Sequence, residues 1–476
     1  MSSSSEAPHP QPRFEVLSPV DTQLWHWDTP ETPMMMGNVC LFEGEPFFEE
    51  DGQFRLDDVR RAIDARLHLV PRYRRRVVEV PLGRPILVDD PDFDIANHVE
   101  LIELPAPGTE DQLKAAFARV HEGLLDRSRP LWKMVFVHGL ADGRVGMIQK
   151  IHHAPFDGAT TVRIMEALFD EEPDPAPTTE PPPYVPQSPP NALAVAAENI
   201  RRPLAAAWRL SAGPDRPRLS PAAAIRSLRE LGALRQFLPA PPTSLNRPVG
   251  IRRRFDWVQT TLADVRQMRS LVPGATLNDV MLTAVAGGLR ELFLARDEDV
   301  TSLRPRVFVP VDVRGAARDQ VGNVFSALAL PLPLDDGDPV SRLHVISEEM
   351  AALKAGPQAG AMSRVIDLAE LVPPVVQAMA TWQQHNRGMF MNLTVTNVPG
   401  PRRELHLLGA RLMELNPMLP LGNRLGLNVA VESYVDRLSI GLCCDPDTVP
   451  DLDVFTGGLR SALDELLART RSSAAD

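Results

Sequence analysis

Between Glu171 and Pro190 the sequence carries a proline run, densest at Pro181-Pro182-Pro183 and Pro189-Pro190. Proline lacks the backbone N–H and locks φ, so this stretch can be neither a helix interior nor a central strand. It reads as an extended connection that divides the chain. At 476 residues the chain is also too long for one ordinary core, and two domains of roughly 150–230 residues are expected. The flanks agree: Phe14–Phe169 and the sequence from Val249 onward each alternate strand-like and helix-like patterns. The expected division is a disordered tail over 1–13, an N-terminal domain over 14–171, a Pro-rich and Arg-rich helical linker over 172–248 and a C-terminal domain over 249–476. The expected fold class is α/β with mixed sheets.

In the first half, Ser18 reads as the N-cap of a helix opening at Pro19. Gly37–Phe42 reads as a strand, and Leu56–Leu69 and Glu110–Leu125 carry helical spacing. Trp132–His138 and Val145–His153 form a β-hairpin, with Asp142-Gly143 supplying the positive φ angles of the turn. In the second half, Leu277–Phe293 is a strongly apolar helix, Asp338 caps another, and Leu425–Glu432 with Arg437–Cys443 form a second hairpin. Ser363–Thr381 reads as a helix, and the apolar Val365–Ala380 within it suits either core or the wall of an apolar channel. A last helix carries Leu452, Phe455, Leu459 and Leu466.

The chemistry concentrates in Lys150–Thr160, which contains His152, His153, Asp157 and Gly158. The spacing His-x-x-x-Asp-Gly is weak evidence, because His138–Gly143 repeats it within the hairpin turn. The setting differs. At His153 a strand passes through Pro155 and Gly158 into the helix Ala159–Phe169, a junction that presents reactive groups on a rigid support. Strand alternation puts His153 on one face with Ile151 and Gln149, and His152 on the other with Lys150. One histidine acts and the other supports. A histidine at a strand end is more often structural than a base, and Asp157 before a helix is by itself a good N-cap. Two histidines without a third ligand do not make a zinc site, and no Gly-x-Ser-x-Gly elbow is present.

Charge and cysteine content narrow the partners. A net charge of -12 argues against a general nucleic-acid binder. Three cysteines, two of them adjacent at Cys443-Cys444, give neither a disulfide framework nor zinc spacing, as suits a reducing cytoplasm. The N-terminus lacks the apolar core of a signal peptide, and no run approaches the ~18 apolar residues of a membrane span. The acidic chain nevertheless has a basic stretch, with Arg201, Arg202, Arg209, Arg226, Arg229 and Arg235. It suits either a solvated face between domains or contact with an anionic lipid surface.

His152-His153-Ala154-Pro155-Phe156-Asp157-Gly158 resembles the HHAxxDG signature of the bacterial wax ester synthase/diacylglycerol acyltransferase family. That family belongs to the larger group of chloramphenicol acetyltransferase-like folds, CoA-dependent acyltransferases and condensation domains. Further blocks are similar in the same order: Leu17–Asp21 with Thr32-Pro33-Met34, Pro130-Leu131-Trp132, Asn278-Asp279-Val280, Pro310–Arg314, Gly322-Asn323 and Asn397–Pro401. Pro155 departs from the signature, and Glu171–Asn246 resembles nothing specific.

The resemblance implies two chloramphenicol acetyltransferase-like halves with an active-site tunnel between them. It implies an O-acyltransferase that moves a long-chain acyl group from acyl-CoA to diacylglycerol or a long-chain alcohol, with acyl-CoA as co-substrate and no cofactor. His153 would be the general base, and Asp157 would pair with an arginine, Arg314 being a candidate. Gly158 would permit close backbone approach, Asn278 would donate near the site or cap the helix beginning at Asp279, and Pro130, Leu131 and Trp132 would pack. Acceptors this apolar imply peripheral contact with membrane or lipid droplets, which with the cysteine reading gives a cytoplasmic, peripherally associated protein. The rival readings are carrier-dependent acyl transfer on the same fold and a non-catalytic lipid-binding protein.

Overall fold

The computed structural model describes residues 13–81, 83–174, 181–212, 239–312, 325–356, 371–372 and 390–473. The expected tail up to residue 12, Arg314, Gly322-Asn323 and most of the helix expected over Ser363–Thr381 lie outside the described residues.

The first half runs β1 (Glu15–Val16), α1 (Pro19–Trp27), β2 (Met35–Phe42), α2 (Leu56–Asp64), β3 (Arg75–Val78), β4 (Ile86–Asp89), β5 (Val99–Glu103), α3 (Glu110–His121), β6 (Trp132–His138), β7 (Val145–His152) and α4 (Gly158–Leu168). Helix α5 (Ala192–Ala212) follows the proline run. The second half runs β8 (Arg254–Thr261), α6 (Leu262–Ser270), α7 (Leu277–Ala295), β9 (Arg306–Asp312), β10 (Phe325–Pro331), α8 (Pro339–Ala355), β11 (Leu393–Val398), β12 (His406–Leu407), β13 (Ala410–Met418), β14 (Leu427–Tyr434), β15 (Arg437–Cys444) and α9 (Leu452–Ser473).

Local chemistry sets many of these boundaries. Ser18 accepts the Asp21 N–H and the Asp21 carboxylate accepts the Ser18 N–H, a capping box that opens α1 at Pro19. Asp338 caps α8 by accepting the Ser341 N–H at 3.0 Å. At the hairpin turn only Gly143 has a positive φ (75°); Asp142 instead accepts the Arg144 N–H at 3.1 Å. Helix α5 runs through Pro203, where interruption is expected from the sequence. The proline removes only the bond that the Asn199 carbonyl would accept, and the rest of the helix carries on.

The strands form a three-stranded sheet, β1-β4-β3, and two six-stranded mixed sheets. One of the large sheets, β10-β9-β11-β14-β15-β8, belongs wholly to the second half. Its core packs under α7, most of whose length is buried, and α9, where Leu452, Phe455, Leu459 and Leu466 are all sealed from solvent. The other runs β12-β13-β2-β7-β6-β5. Its first two strands come from beyond residue 400, so the sequence boundary at 248/249 does not separate the sheets.

Strand β13 holds the halves together. It pairs antiparallel with β2, Met418 opposite Gly37 and Leu412 opposite Phe42. Its other contacts reach the second sheet: Gln259 Nε2 donates to Glu414 Oε2 at 2.8 Å and to Asn416 Oδ1 at 3.0 Å, and Ser439 Oγ donates to Asn416 Oδ1 at 2.6 Å. At Gly441 of β15 the approach is closest. A Cβ there would lie 1.7 Å from the Pro417 carbonyl oxygen.

The proline-rich connection is anchored where it is described. Tyr184 Oη lies 3.1 and 2.9 Å from the carbonyls of Arg74 and Asp90, and Asp89 accepts the Gln187 N–H at 3.0 Å. Cys40, Cys443 and Cys444 are buried free thiols.

Candidate active site

The β6–β7 hairpin delivers the histidines. Along β7, Val145, Met147 and Ile151 face a core shared with Trp132, Phe156 and Met165, whereas Ile148 faces one shared with Phe117, Phe255 and Trp257. Lys150 lies on that second side, where its buried ammonium donates to the carbonyls of Val120 and Gly123 at 2.8 and 2.7 Å. It thereby satisfies orphan carbonyls at the end of α3. Burial pulls its pKa down to about 8.

His152 is fully buried. Its backbone N–H donates to the Leu131 carbonyl at 3.0 Å, and its Nδ1 accepts the Ala154 N–H at 3.0 Å. An accepting Nδ1 assigns the ring proton to Nε2, which faces Asp28 Oδ2 at 3.4 Å, an ion-pair distance rather than a well-aligned hydrogen bond. Burial lowers the His152 pKa, with Asp28 partly opposing, so the ring is neutral. Asp28 is the hub. Its carboxylate also accepts the Met34 N–H at 2.9 Å and Arg127 Nη2 at 3.1 Å, and the Arg127 guanidinium lies over the Trp25 ring at 4.0 Å. Burial pushes the Asp28 carboxyl up, but His152, Met34 and Arg127 together outweigh it and hold the group below its ordinary value.

His153 stands just beyond β7 and is half-buried. Its N–H donates to the Met34 carbonyl at 2.8 Å. Its Nδ1 lies 3.1 Å from the Phe156 carbonyl, which can only accept, so Nδ1 carries the proton and the lone pair of the neutral ring is on Nε2. The loop is fixed at both ends. Arg72 donates to the Pro155 carbonyl, and the Phe156 ring packs edge-on against Tyr73 at 5.3 Å. Tyr73 in turn stacks on Trp132 at 4.4 Å and accepts the indole N–H at its carbonyl at 2.8 Å. Pro130, Leu131 and Trp132 are buried, and they back the loop from beneath.

Asp157 is the N-cap of α4. Its Oδ1 accepts the Thr160 N–H at 2.7 Å and its carbonyl accepts Thr161 Oγ1 at 3.1 Å. Gly158 opens the helix, and a Cβ there would stand 3.0 Å from Val398 Cγ2. The Asn397–Pro401 block of the second half therefore abuts the histidine loop directly.

One sequence expectation changes and another holds. Asn278 is not a cap: Thr276 caps α7 and Asp279 completes the capping box, its Oδ2 accepting the Thr276 N–H at 2.8 Å. Threonine precedes the helix while Asn278 already lies within its first turn. Among the described residues no hydrogen bond joins Asn278 or Asp279 to the histidine loop. His138 of the duplicate spacing packs beside Phe48 and Phe54 rather than at a loop–helix junction. Asp28 and Arg127, by contrast, carry no sequence signal. Each is distant along the chain from the histidine that it supports.

Asp28→Asn is expected to lower stability by about 2 kcal/mol, because an amide keeps one acceptor but cannot satisfy two charged or polarised donors at the other position. The urea midpoint should fall as the histidine loop loosens; an unchanged midpoint would remove Asp28 from this role.

Among the described residues no group of three or more metal-ligating side chains occurs. The catalytic-domain profile of wax ester synthase/diacylglycerol acyltransferase matches residues 17–281, and the C-terminal domain profile of the same family matches residues 321–467. A Mycobacterium tuberculosis protein named probable diacyglycerol O-acyltransferase tgs1 is 33% identical over 404 residues, covering 83% of this chain and 84% of that protein. The wax ester synthase/diacylglycerol acyltransferase from Marinobacter aquaeolei VT8 has a similar structure, with a TM-score of 0.66 and 24% identity over 96% of this chain and 99% of that one. A mutant of the starter condensation domain of rhizomide synthetase RzmA in complex with C8-CoA has the same fold at a TM-score of 0.54 and 16% identity, covering 97% of this chain and 95% of that one. With both family domains matched in order and the His152–Gly158 loop inside the first, this chain belongs to the wax ester synthase/diacylglycerol acyltransferase family.

Proposed function

We propose that the protein is an O-acyltransferase that moves a long-chain acyl group from acyl-CoA to diacylglycerol or a long-chain alcohol, with His153 Nε2 as the general base. The observation that carries this is the tautomer: Nδ1–H is committed to the Phe156 carbonyl, so the basic lone pair of the ring is on Nε2. An alcohol is a poor nucleophile until its proton is removed, and a neutral imidazole can take that proton and return it. The acceptor oxygen attacks the thioester carbonyl as Nε2 takes its proton. The tetrahedral intermediate then collapses with cleavage of the C–S bond, and the imidazolium protonates the departing thiolate. No acyl-enzyme forms. His152 and Asp28 position the strand end, and Asp157 holds the start of α4. The substrates meet at His153 Nε2, on a loop against which Val398 of the second half packs at Gly158. The acceptor is drawn from a membrane or droplet surface with which the protein makes peripheral contact.

The test is an acceptor panel. Purified protein given palmitoyl-CoA should release free CoA thiol with diacylglycerol or hexadecanol and form the matching ester. Turnover only with a carrier-bound acyl donor would replace this reading with carrier-dependent transfer on the same fold.

A further inference from the structure

The proposal concerns α5, whose two sides are built for different neighbours. At 3.6 residues per turn, Leu193, Ile200, Leu204 and Trp208 fall within about 80° of one another around the helix. All four are open to solvent, at 81%, 63%, 64% and 61% exposure. The opposite side is the docked one. Val195 is buried with Val16, Ile86 and Val88 of the small β1-β4-β3 sheet, and Asn199 lies against Gly83. The helix is therefore held with its apolar stripe turned outward. A contiguous exposed stripe of this kind on an otherwise satisfied helix marks an interaction surface.

We propose that this stripe seats the enzyme on a phospholipid surface carrying anionic headgroups. The inference rests on the reading that the acceptor is a lipid held in such a surface. Three features favour lipid over a protein partner. The stripe is a line of side chains along a rod of about 31 Å, not a groove or a knob, and it carries a tryptophan near its C-terminal end, where an amphipathic ring suits the headgroup boundary. Arg201 borders the stripe, placed so that its stem can lie along apolar surface while its head reaches outward; it is paired with Glu198. Charge also segregates: α5 holds Arg201, Arg202 and Arg209 against only Glu198, in a chain of net charge -12. Such a basic concentration beside exposed apolar residues fits an anionic interface. No described helix is long and apolar enough to cross a membrane, so α5 would lie along the surface.

The experiment is vesicle flotation of the full chain with phosphatidylcholine alone and with added phosphatidylglycerol, alongside acyl transfer from palmitoyl-CoA to a short, water-soluble alcohol. The wild type should float with the anionic vesicles and less with the neutral ones. The double variant Ile200→Glu/Leu204→Glu should bind at least ~10-fold more weakly, since two apolar contacts are lost. Because both positions are exposed, its thermal unfolding and its turnover of the soluble alcohol should match the wild type. Equal flotation of variant and wild type, or a wild type that stays unbound, would overturn the proposal. A wild type that fails to float but self-associates through the stripe would overturn it in favour of a protein contact. Loss of soluble-alcohol turnover by the wild type itself would instead strike the acyl-transfer reading, so the two failures are distinguishable.

Discussion

His153→Ala should lower turnover of ester formation by about 10²–10⁴-fold, the range over which a positioned base contributes. The thermal unfolding midpoint should change little, because the ring is half-buried and its Nδ1 bonds a carbonyl of its own loop. His153→Gln sharpens the test. Glutamine can still donate to Phe156 but cannot take a proton at neutral pH, so it should preserve the loop and still lose turnover. The loss should appear in kcat rather than KM, since the base acts on the reacting hydroxyl and not on acyl-CoA binding. His152→Ala should behave oppositely. It empties a fully buried position and leaves Asp28 facing a void, so the protein should lose stability before it loses chemistry. If His153→Gln keeps turnover within ~10-fold of the wild type, acid–base catalysis by this residue is ruled out.

Gly441→Ala should be among the most damaging single methyl additions at the described glycines, with an expected loss of about 3 kcal/mol or more. The added Cβ would lie 1.7 Å from the Pro417 oxygen and 2.9 Å from its carbonyl carbon. Both are backbone atoms, so no side chain can rotate away. One strand must move, but β13 is paired along β2 on one side and tied through Asn416 to Ser439 and Gln259 on the other. Gly457→Ala is the natural control: it also lies in a regular element, α9, but a Cβ there meets nothing within 4 Å. That change should be neutral or stabilising by up to about 1 kcal/mol, because alanine favours a helix over glycine. Urea midpoints of the two variants decide the matter. Equal midpoints would mean that the sheets do not approach as closely as the geometry states.

What the sequence reveals follows the reach of each interaction. The Ser18 cap, the Asp338 cap and the buried face of α9 depend on residues within a few positions of one another, and all were legible. Strand alternation predicts opposed faces for the two histidines, but β7 ends at His152, fully buried, and His153 lies just beyond it, half-buried. Asp28 was not legible because its importance arises only when the chain folds back on the end of β7. The α7 cap was missed by a narrow margin: Thr276 and Asn278 are both capping residue types, and choosing between them requires the first helical turn to be known. Strand β13 was invisible for a deeper reason. Asn416-Pro417 interrupts its alternation, and its paired residues in β2, from Phe42 opposite Leu412 to Gly37 opposite Met418, lie 370 to 381 residues earlier, so no local pattern announces the pairing.

That long-range pairing also fixes an order of events during synthesis. Strand β2 leaves the ribosome early, but the strand that covers its outer edge ends at Met418. At roughly 5–20 residues per second the nascent chain carries that apolar, unpaired edge for some tens of seconds. Shielding of Met35–Phe42 by a chaperone over this interval would suppress pairing with neighbouring chains. A gene cut between the halves would yield an N-terminal product with no means of closing its own sheet.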